Sequence, residues 1–280
     1  MKALAAMILA ALSASAMAGA PEWSAPHQPF QIYGNTYYVG TEGISAVLIT
    51  SPKGHVLIDG ATGEGGKVIA DNVKTLGFKM KDVKVILNSH AHYDHSGGIS
   101  HLQKLSGAKV LTGAEGAKAL SSGTTAPEDP QFGTINDFEP VANAHAVKEG
   151  EVVKVGALAV TAHLTPGHTP GGSSWSWKVC DKGVCKNFVY ADSLTAVSSD
   201  SYKFTAHPEV VSSLESSIRK IGALPCDVLI TAHPEFSDIF ERHARAEKEG
   251  VAAYGDGTSC RKLAEASSDR LAKRLESERN

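Results

Sequence analysis

Three histidines and an aspartate fall within six residues, His90-Ala-His92-Tyr-Asp94-His95, directly after the apolar run Val83–Leu87 and directly before Ser96-Gly97-Gly98. Imidazole nitrogens suit zinc and other late first-row metals, and one carboxylate among them allows two neighbouring ions to be held by different ligand sets. A chain with 12 histidines in 280 residues rarely gathers three of them so closely by accident. The cluster also sits where a strand gives way to a loop, the place where functional side chains collect. It restricts the fold to one in which the end of a buried strand opens onto a metal site. Two ions need about six protein ligands, and this segment offers four.

Two further segments have the same form. In Thr165-Pro166-Gly167-His168-Thr169-Pro170-Gly171-Gly172 a histidine follows an apolar strand, in a loop stiffened by prolines and allowed tight turns by glycines. In Val228-Leu-Ile-Thr-Ala-His233-Pro234 another follows a short apolar run and precedes a proline. Strand ends from neighbouring parts of a sheet converge at one edge, so His168 and His233 are the candidates to complete the site. His27, His55, His101, His145, His207 and His243 fall on turns, helix starts or helix faces, which suit solvated or structural histidine. His163 lies on a strand five residues before His168 and is at most a residue supporting a ligand from behind.

Residues 1–18 have a short charged start, an apolar centre and an A-x-A end, the pattern of a secretory signal peptide cut after Ala18. Residues 19–280 show no linker, repeat or low-complexity run and are expected to form a single domain, exported to the periplasm. No later segment approaches about 18 uninterrupted apolar residues, so no membrane span is expected. The 27 basic and 30 acidic residues form no basic stripe, which argues against a nucleic-acid partner.

Four cysteines fit an oxidising compartment. Cys180-Asp-Lys-Gly-Val-Cys185 has a turn at Lys182-Gly183 between two apolar runs, which makes Cys180 with Cys185 the natural pair. Cys226 and Cys260 then close a loop on the order of 35 residues, worth about 3 to 4 kcal/mol on the chain-entropy estimate. Sequence permits three connectivities, and thiolate ligation is the competing reading, although there is no Cys-x-x-Cys pair.

The hydrophobic pattern predicts strands over 30–39, 44–50 and 55–59, a helix over 63–76, a strand over 83–87 and a helix over 96–105. A strand over 109–111, a short helix over 114–120 and an irregular stretch over 121–144 follow. Further strands are expected over 152–155, 158–163, 173–179, 187–190 and 228–231, with helices over 207–224 and 262–278. Strands and helices in both halves predict an α/β (α+β) protein in which two sheets lie back to back with helices outside, a four-layer αββα sandwich.

The combination of His90-x-His92-x-Asp94-His95, Thr-Pro-Gly-His168-Thr, Ala191-Asp192-Ser193-Leu194-Thr195 and Ala232-His233-Pro234 resembles the metallo-β-lactamase superfamily. Ala-Asp-Ser-Leu-Thr and the Cys226/Cys260 pair are closest to its subclass B3. The resemblance extends across residues 19–280, including Ile32-Tyr-Gly-Asn35, Ile44-Ser-Ala-Val47 and Leu224-Pro-Cys226-Asp227. It implies the αββα fold, with the metal site at one edge of the sheets, and two zinc ions. One would be held by His90, His92 and His168 and the other by Asp94, His95 and His233. It further implies hydrolysis of the β-lactam amide bond of penicillins, cephalosporins or carbapenems by a hydroxide bridging the zincs. Asp94 would both ligate and orient that hydroxide.

Ser193 stands where zinc β-lactamases of another subclass have a cysteine ligand, and a neutral hydroxyl is a poor zinc ligand. Ser193 and Thr195 are therefore expected to bind the substrate carboxylate. Asp192 leaves an alternative open, because an aspartate at about this place bridges the metals in some other hydrolases of the superfamily. A dizinc hydrolase of a thioester or lactone is that alternative, and a non-catalytic zinc-sequestering protein is a third. Gln131, Phe132 and the segment 33–38 are candidates for the pocket wall. A monomer is expected.

Overall fold

Short β-branched runs, each closed by a turn, form two sheets in the computed structural model, which describes residues 20–279. The expected signal peptide at residues 1–18 lies outside the described residues. The first sheet contains β1 (Phe30–Tyr33), β2 (Thr36–Tyr38), β3 (Val47–Ile49), β4 (His55–Ile58), β5 (Val83–Leu87), β6 (Lys109–Thr112) and β7 (Ala144–Ala146), paired in that order. The second has the order β12-β11-β10-β9-β8, made by β8 (Val152–Val155), β9 (Leu158–Leu164), β10 (Ser173–Asp181), β11 (Val184–Ala191) and β12 (Val228–Thr231). On the first sheet lie α1 (Gly63–Thr75), α2 (Tyr93–Ser96), α3 (Ile99–Ser106) and α4 (Ala114–Ser122). On the second lie α5 (Pro208–Gly222) and α7 (Ser259–Ser277), with α6 (Ile239–Glu249) between β12 and α7 in the chain.

The layers follow from alternation along the strands. Val56 and Ile58 of β4 join Val160, Trp175 and Phe188 in the core between the sheets. Leu57, between them, faces outward with Ile86 and Val110 onto Ile69 and Val73 of α1 and onto Ile99 and Leu102 of α3. Val189 and Leu229 do the same beneath Leu214 and Ile218 of α5 and Leu263 and Leu271 of α7. Two-residue periodicity thus sorts each strand's side chains between an inner core and an outer one, and the expected αββα sandwich results.

The two disulfides are Cys180–Cys185, a directly opposed pair in the β10–β11 hairpin, and Cys226–Cys260, which ties the start of β12 to α7. Three details differ from the sequence expectation. Residues 30–39 are a hairpin, because Gly34-Asn35 turns the chain back between β1 and β2. The helix expected over 96–105 is broken after Ser96. A Cβ at Gly98 would lie 2.3 Å from the Gly60 carbonyl oxygen and 2.6 Å from the Gly66 Cα, so α1 and the 97–98 segment approach at backbone distance. Finally β7 and α6 were not anticipated: β7 is three residues held by pairing with β6, and α6 buries only Ile239 fully.

β4 and β5 run parallel, as do β11 and β12, and β9 is antiparallel to β10, which is antiparallel to β11. The carboxyl ends of β4, β5, β9, β11 and β12 therefore share one edge, where open α/β sheets place their ligands. The Ser173 amide donates to the Ser89 carbonyl at 2.8 Å there, joining the two sheets.

Candidate metal centre

The floor of the site is Asp59, at the end of β4 with a left-handed φ of 63°. Its fully buried carboxylate accepts from the Ser89 amide and hydroxyl, both at 2.6 Å, from Asn88 Nδ2 at 3.1 Å and from the Tyr190 hydroxyl at 2.8 Å. Such charge-assisted bonds to a buried carboxylate are strong, and they lock the chain immediately ahead of His90. Asp59 Oδ2 also lies 3.5 Å from His95 Nδ1.

Upon that floor the three strand-end segments converge. Ligand-capable atoms of His90, His92 and His168 all lie within 4.8 Å of one another, and so do those of His90, Asp94 and His95. Asp94 Oδ2 is 3.1 Å from His95 Nε2 and 3.4 Å from His233 Nε2, and the two imidazole nitrogens are 3.3 Å apart. A tetrahedral zinc with ligand bonds of about 2.0–2.1 Å has donors about 3.3–3.4 Å apart along each edge. The donor set and its spacing fit a metal ion of that size.

The opposite faces of these imidazoles are occupied, which fixes the nitrogen each offers. His90 Nδ1 is 2.8 Å from Asp192 Oδ1, leaving Nε2 for the cluster. His168 Nδ1 faces the Thr195 carbonyl at 3.0 Å and the Thr195 hydroxyl at 3.1 Å. His92 is turned the other way, with Nε2 3.0 Å from Asp129 Oδ2, so that Nδ1 is its available atom. Carboxylate and carbonyl partners of this kind orient metal-binding histidines. A Cβ at Gly172 would fall 2.4 Å from Asp192 Oδ2, so that glycine is what admits the carboxylate behind His90.

Burial, above all, drives His90 well below the ordinary histidine range, His168 to about 3 and His233 to about 4, with neighbouring imidazoles adding to it. Burial works against the charged form of His95 too, but Asp94 and Asp59 outweigh it and raise that imidazole to about 10. Burial would raise Asp94, and His95 and His233 overcome it, holding the carboxyl below its ordinary value. Asp192 is pushed well above the usual carboxylate range, chiefly by burial. His90, His168 and His233 are thus neutral at pH 7, the form in which imidazole binds a metal.

The site's wall differs partly from expectation. Gln131 is buried with Nε2 3.5 Å from His168 Nε2, whereas Phe132 is exposed. The segment 33–38 lies elsewhere, with the Tyr33 hydroxyl donating to the Val184 carbonyl at 3.0 Å. Trp23 stands nearby instead, its ring centroid 5.9 Å from that of His233. Ser193 is buried directly after Asp192. His163 is hydrogen-bonded to Ser176 at 2.7 Å on the strand and does not reach His168 through any recorded contact. The other six histidines are absent from both metal-capable groups among the described residues, and so is His233, which adjoins the second group through Asp94 and His95.

Residues 39–233 match the family model of the metallo-β-lactamase superfamily. The chain belongs to the metallo-β-lactamase superfamily. Among solved structures it is similar to the metallo-β-lactamase SMB-1 bound to 2-mercaptoethanesulfonate, with 55% identity and a TM-score of 0.90 over 91% of this chain and 99% of that one. It is also similar to MEM-A1, a subclass B3 metallo-β-lactamase from a soil metagenome library, with 49% identity and a TM-score of 0.89 over 91% and 98% of the two chains. These matches put it in subclass B3. Among curated proteins, the hydroxyacylglutathione hydrolase of Cereibacter sphaeroides (strain ATCC 17025 / ATH 2.4.3) is 30% identical over 159 residues, 57% of this chain and 51% of that protein. The chain spans about half the length of that curated relative.

Within this B3 site, sequence reasoning missed Asp59, Asp129 and Trp23 as functional residues. A carboxylate ending a buried strand, as Asp59 ends 55–59, was the available signal for the first. Asp129 lies in an aperiodic stretch that gave none.

Proposed function

We propose that this protein is a dizinc β-lactamase of the periplasm that hydrolyses the amide bond of penicillins, cephalosporins or carbapenems and so confers antibiotic resistance. The observation that carries the reading is the pair of adjoining donor groups, three imidazoles in one and Asp94 with two imidazoles in the other, on a chain 55% identical to SMB-1 along nearly all of that enzyme. We assign His90 Nε2, His92 Nδ1 and His168 Nε2 to one zinc and Asp94 Oδ2, His95 Nε2 and His233 Nε2 to the other. Zinc supplies two things when bound: it brings the pKa of water down to about 7 and it polarises a carbonyl.

The chain's own residues do the rest. Asp94 Oδ2 faces the two histidines, and Oδ1 is assigned to accept a hydrogen bond from the attacking water and orient it. The backbone and hydroxyl of Thr195 clamp His168, and Ser193 and Thr195 are assigned to hold the substrate carboxylate. Gln131 lies against His168 and Trp23 against His233. The thioester or lactone reading asked for Asp192 between the metals. Asp192 Oδ1 instead faces His90 Nδ1, which favours the lactam reading.

The two disulfides support an oxidising compartment, and no described helix is long and apolar enough to cross a membrane. A monomer acting on a small-molecule substrate completes the proposal. The deciding experiment follows loss of lactam absorbance for a carbapenem and a cephalosporin, with and without a chelator, while bound zinc is counted. Two zincs per chain with no lactam opened, but with a thioester or lactone cleaved, overturns it.

A further inference from the structure

Behind the His168 loop is a cavity of about 620 Å³ that none of the six assigned ligands, nor Ser193 or Thr195, lines. It opens between the first turns of α5, the loop around Gly167 and the segment 127–130. The hydrogen bond from the Ser199 amide to the Pro130 carbonyl, 2.9 Å, joins that segment to the loop after β11. The volume is in the range of sites for small organic ligands, about 300–1,000 Å³.

Its lining has a definite chemistry. Pro127, Pro130, Pro166 and Pro170 contribute four apolar rings. Tyr202 and His207 contribute a stacked pair, with centroids 4.3 Å apart and planes 10° apart. The charged residues on the lining are the acids Glu128 and Glu209, with neither Lys nor Arg among them.

We propose that this cavity is a second binding site, for a small flat ring compound bearing a positive charge. Aromatic and proline faces hold the ring, and the two carboxylates select the cation. Its walls also touch the chain that positions the metal ligands. Thr169 follows His168, and Pro130 follows Asp129, the partner of His92.

The test uses the zinc-loaded full chain and three probes sharing one ring: tryptamine, indole and indole-3-propionate. Binding is followed by calorimetry and by protein NMR. Tryptamine is expected to bind saturably and at least tenfold more tightly than indole-3-propionate, and to bind equally well with 2-mercaptoethanesulfonate present. Val210→Trp, which fills the cavity, should abolish that binding with zinc content unchanged. Glu209→Lys, at a position whose side chain is 69% exposed and so safe for folding, should reverse the preference between the cationic and anionic probes. Equal or tighter binding of the propionate overturns the proposal. So does tryptamine binding that survives both substitutions, or that 2-mercaptoethanesulfonate displaces.

Discussion

Replacing Asp129 by alanine should weaken one zinc and spare the other. The contact at stake is Asp129 Oδ2 to His92 Nε2 at 3.0 Å, between side chains only 4% and 3% exposed. A hydrogen bond to a charged group is worth about 1.5–3 kcal/mol, and losing it here leaves a buried imidazole N–H unpaired. Measured losses for such supporting carboxylates are about 10–100-fold in metal affinity, or about 1.4–2.7 kcal/mol, the same range. Asp129→Asn retains an oxygen acceptor and loses only the charge, so it should fall less than about tenfold. Competition with a chromophoric chelator resolves the two ions, and only the one held by His90, His92 and His168 should weaken. The Gln131 amide also donates to Asp129 Oδ1, at 2.8 Å, so the alanine variant should lose about 1 kcal/mol of fold stability besides. Equal weakening of both ions, or none, refutes the assignment of Asp129 to His92.

His168→Ala and His233→Ala should each leave about one zinc per chain by elemental analysis, and lactam hydrolysis should collapse in both; full loading in either removes that residue from the ligand set. Breaking Cys226–Cys260, which spans 34 residues, should cost about 3.8 kcal/mol, and breaking Cys180–Cys185, which spans 5, about 2 kcal/mol. Denaturant titration of the two alanine pairs checks that order. Burial would raise the Glu278 carboxyl, but the Thr205 amide at 2.8 Å and Arg274 at 2.7 Å hold it at about 2. Its contribution is therefore present above the ordinary value of 4.5 and lost as pH falls towards 2. Glu278→Gln should be less stable by about 1 kcal/mol at pH 7, allowing for solvent screening, and indistinguishable from the parent at pH 2.

The histidines proposed as ligands were legible because each announces itself locally, next to a short apolar strand with proline or glycine nearby. Parallel pairing of β4 with β5 and of β11 with β12 then brings those ends together without further instruction. What supports the ligands was not legible, for a different reason in each case. Asp129 sits in the aperiodic stretch between α4 and β7, and its place at His92 depends on how that loop folds back. Thr195 carries an expected hydroxyl, but its carbonyl also contacts His168, and backbone acceptors leave no mark in side-chain identity. Trp23 reaches His233 across 210 positions of sequence, a contact that periodicity cannot encode. The missed break at Gly97-Gly98 arose from tertiary proximity of Gly60 and Gly66, which overrode a local pattern compatible with helix.

Asp192 and Asp129 acquire a second meaning when the charges of the centre are considered together. Four aspartates are buried there, Asp59, Asp94, Asp129 and Asp192, at 0%, 5%, 4% and 2% exposure. Without cations that much negative charge is costly to bury, and the strong upward displacement of Asp192 expresses the cost. His90, His168 and His233, being neutral, do nothing to offset it, and only His95, raised to about 10, contributes positive charge. A divalent ion beside these groups would supply positive charge in a low dielectric, where it counts for most. The two supporting aspartates therefore orient imidazoles, Asp192 at His90 and Asp129 at His92, and also add to the buried negative charge that favours a cation in the centre.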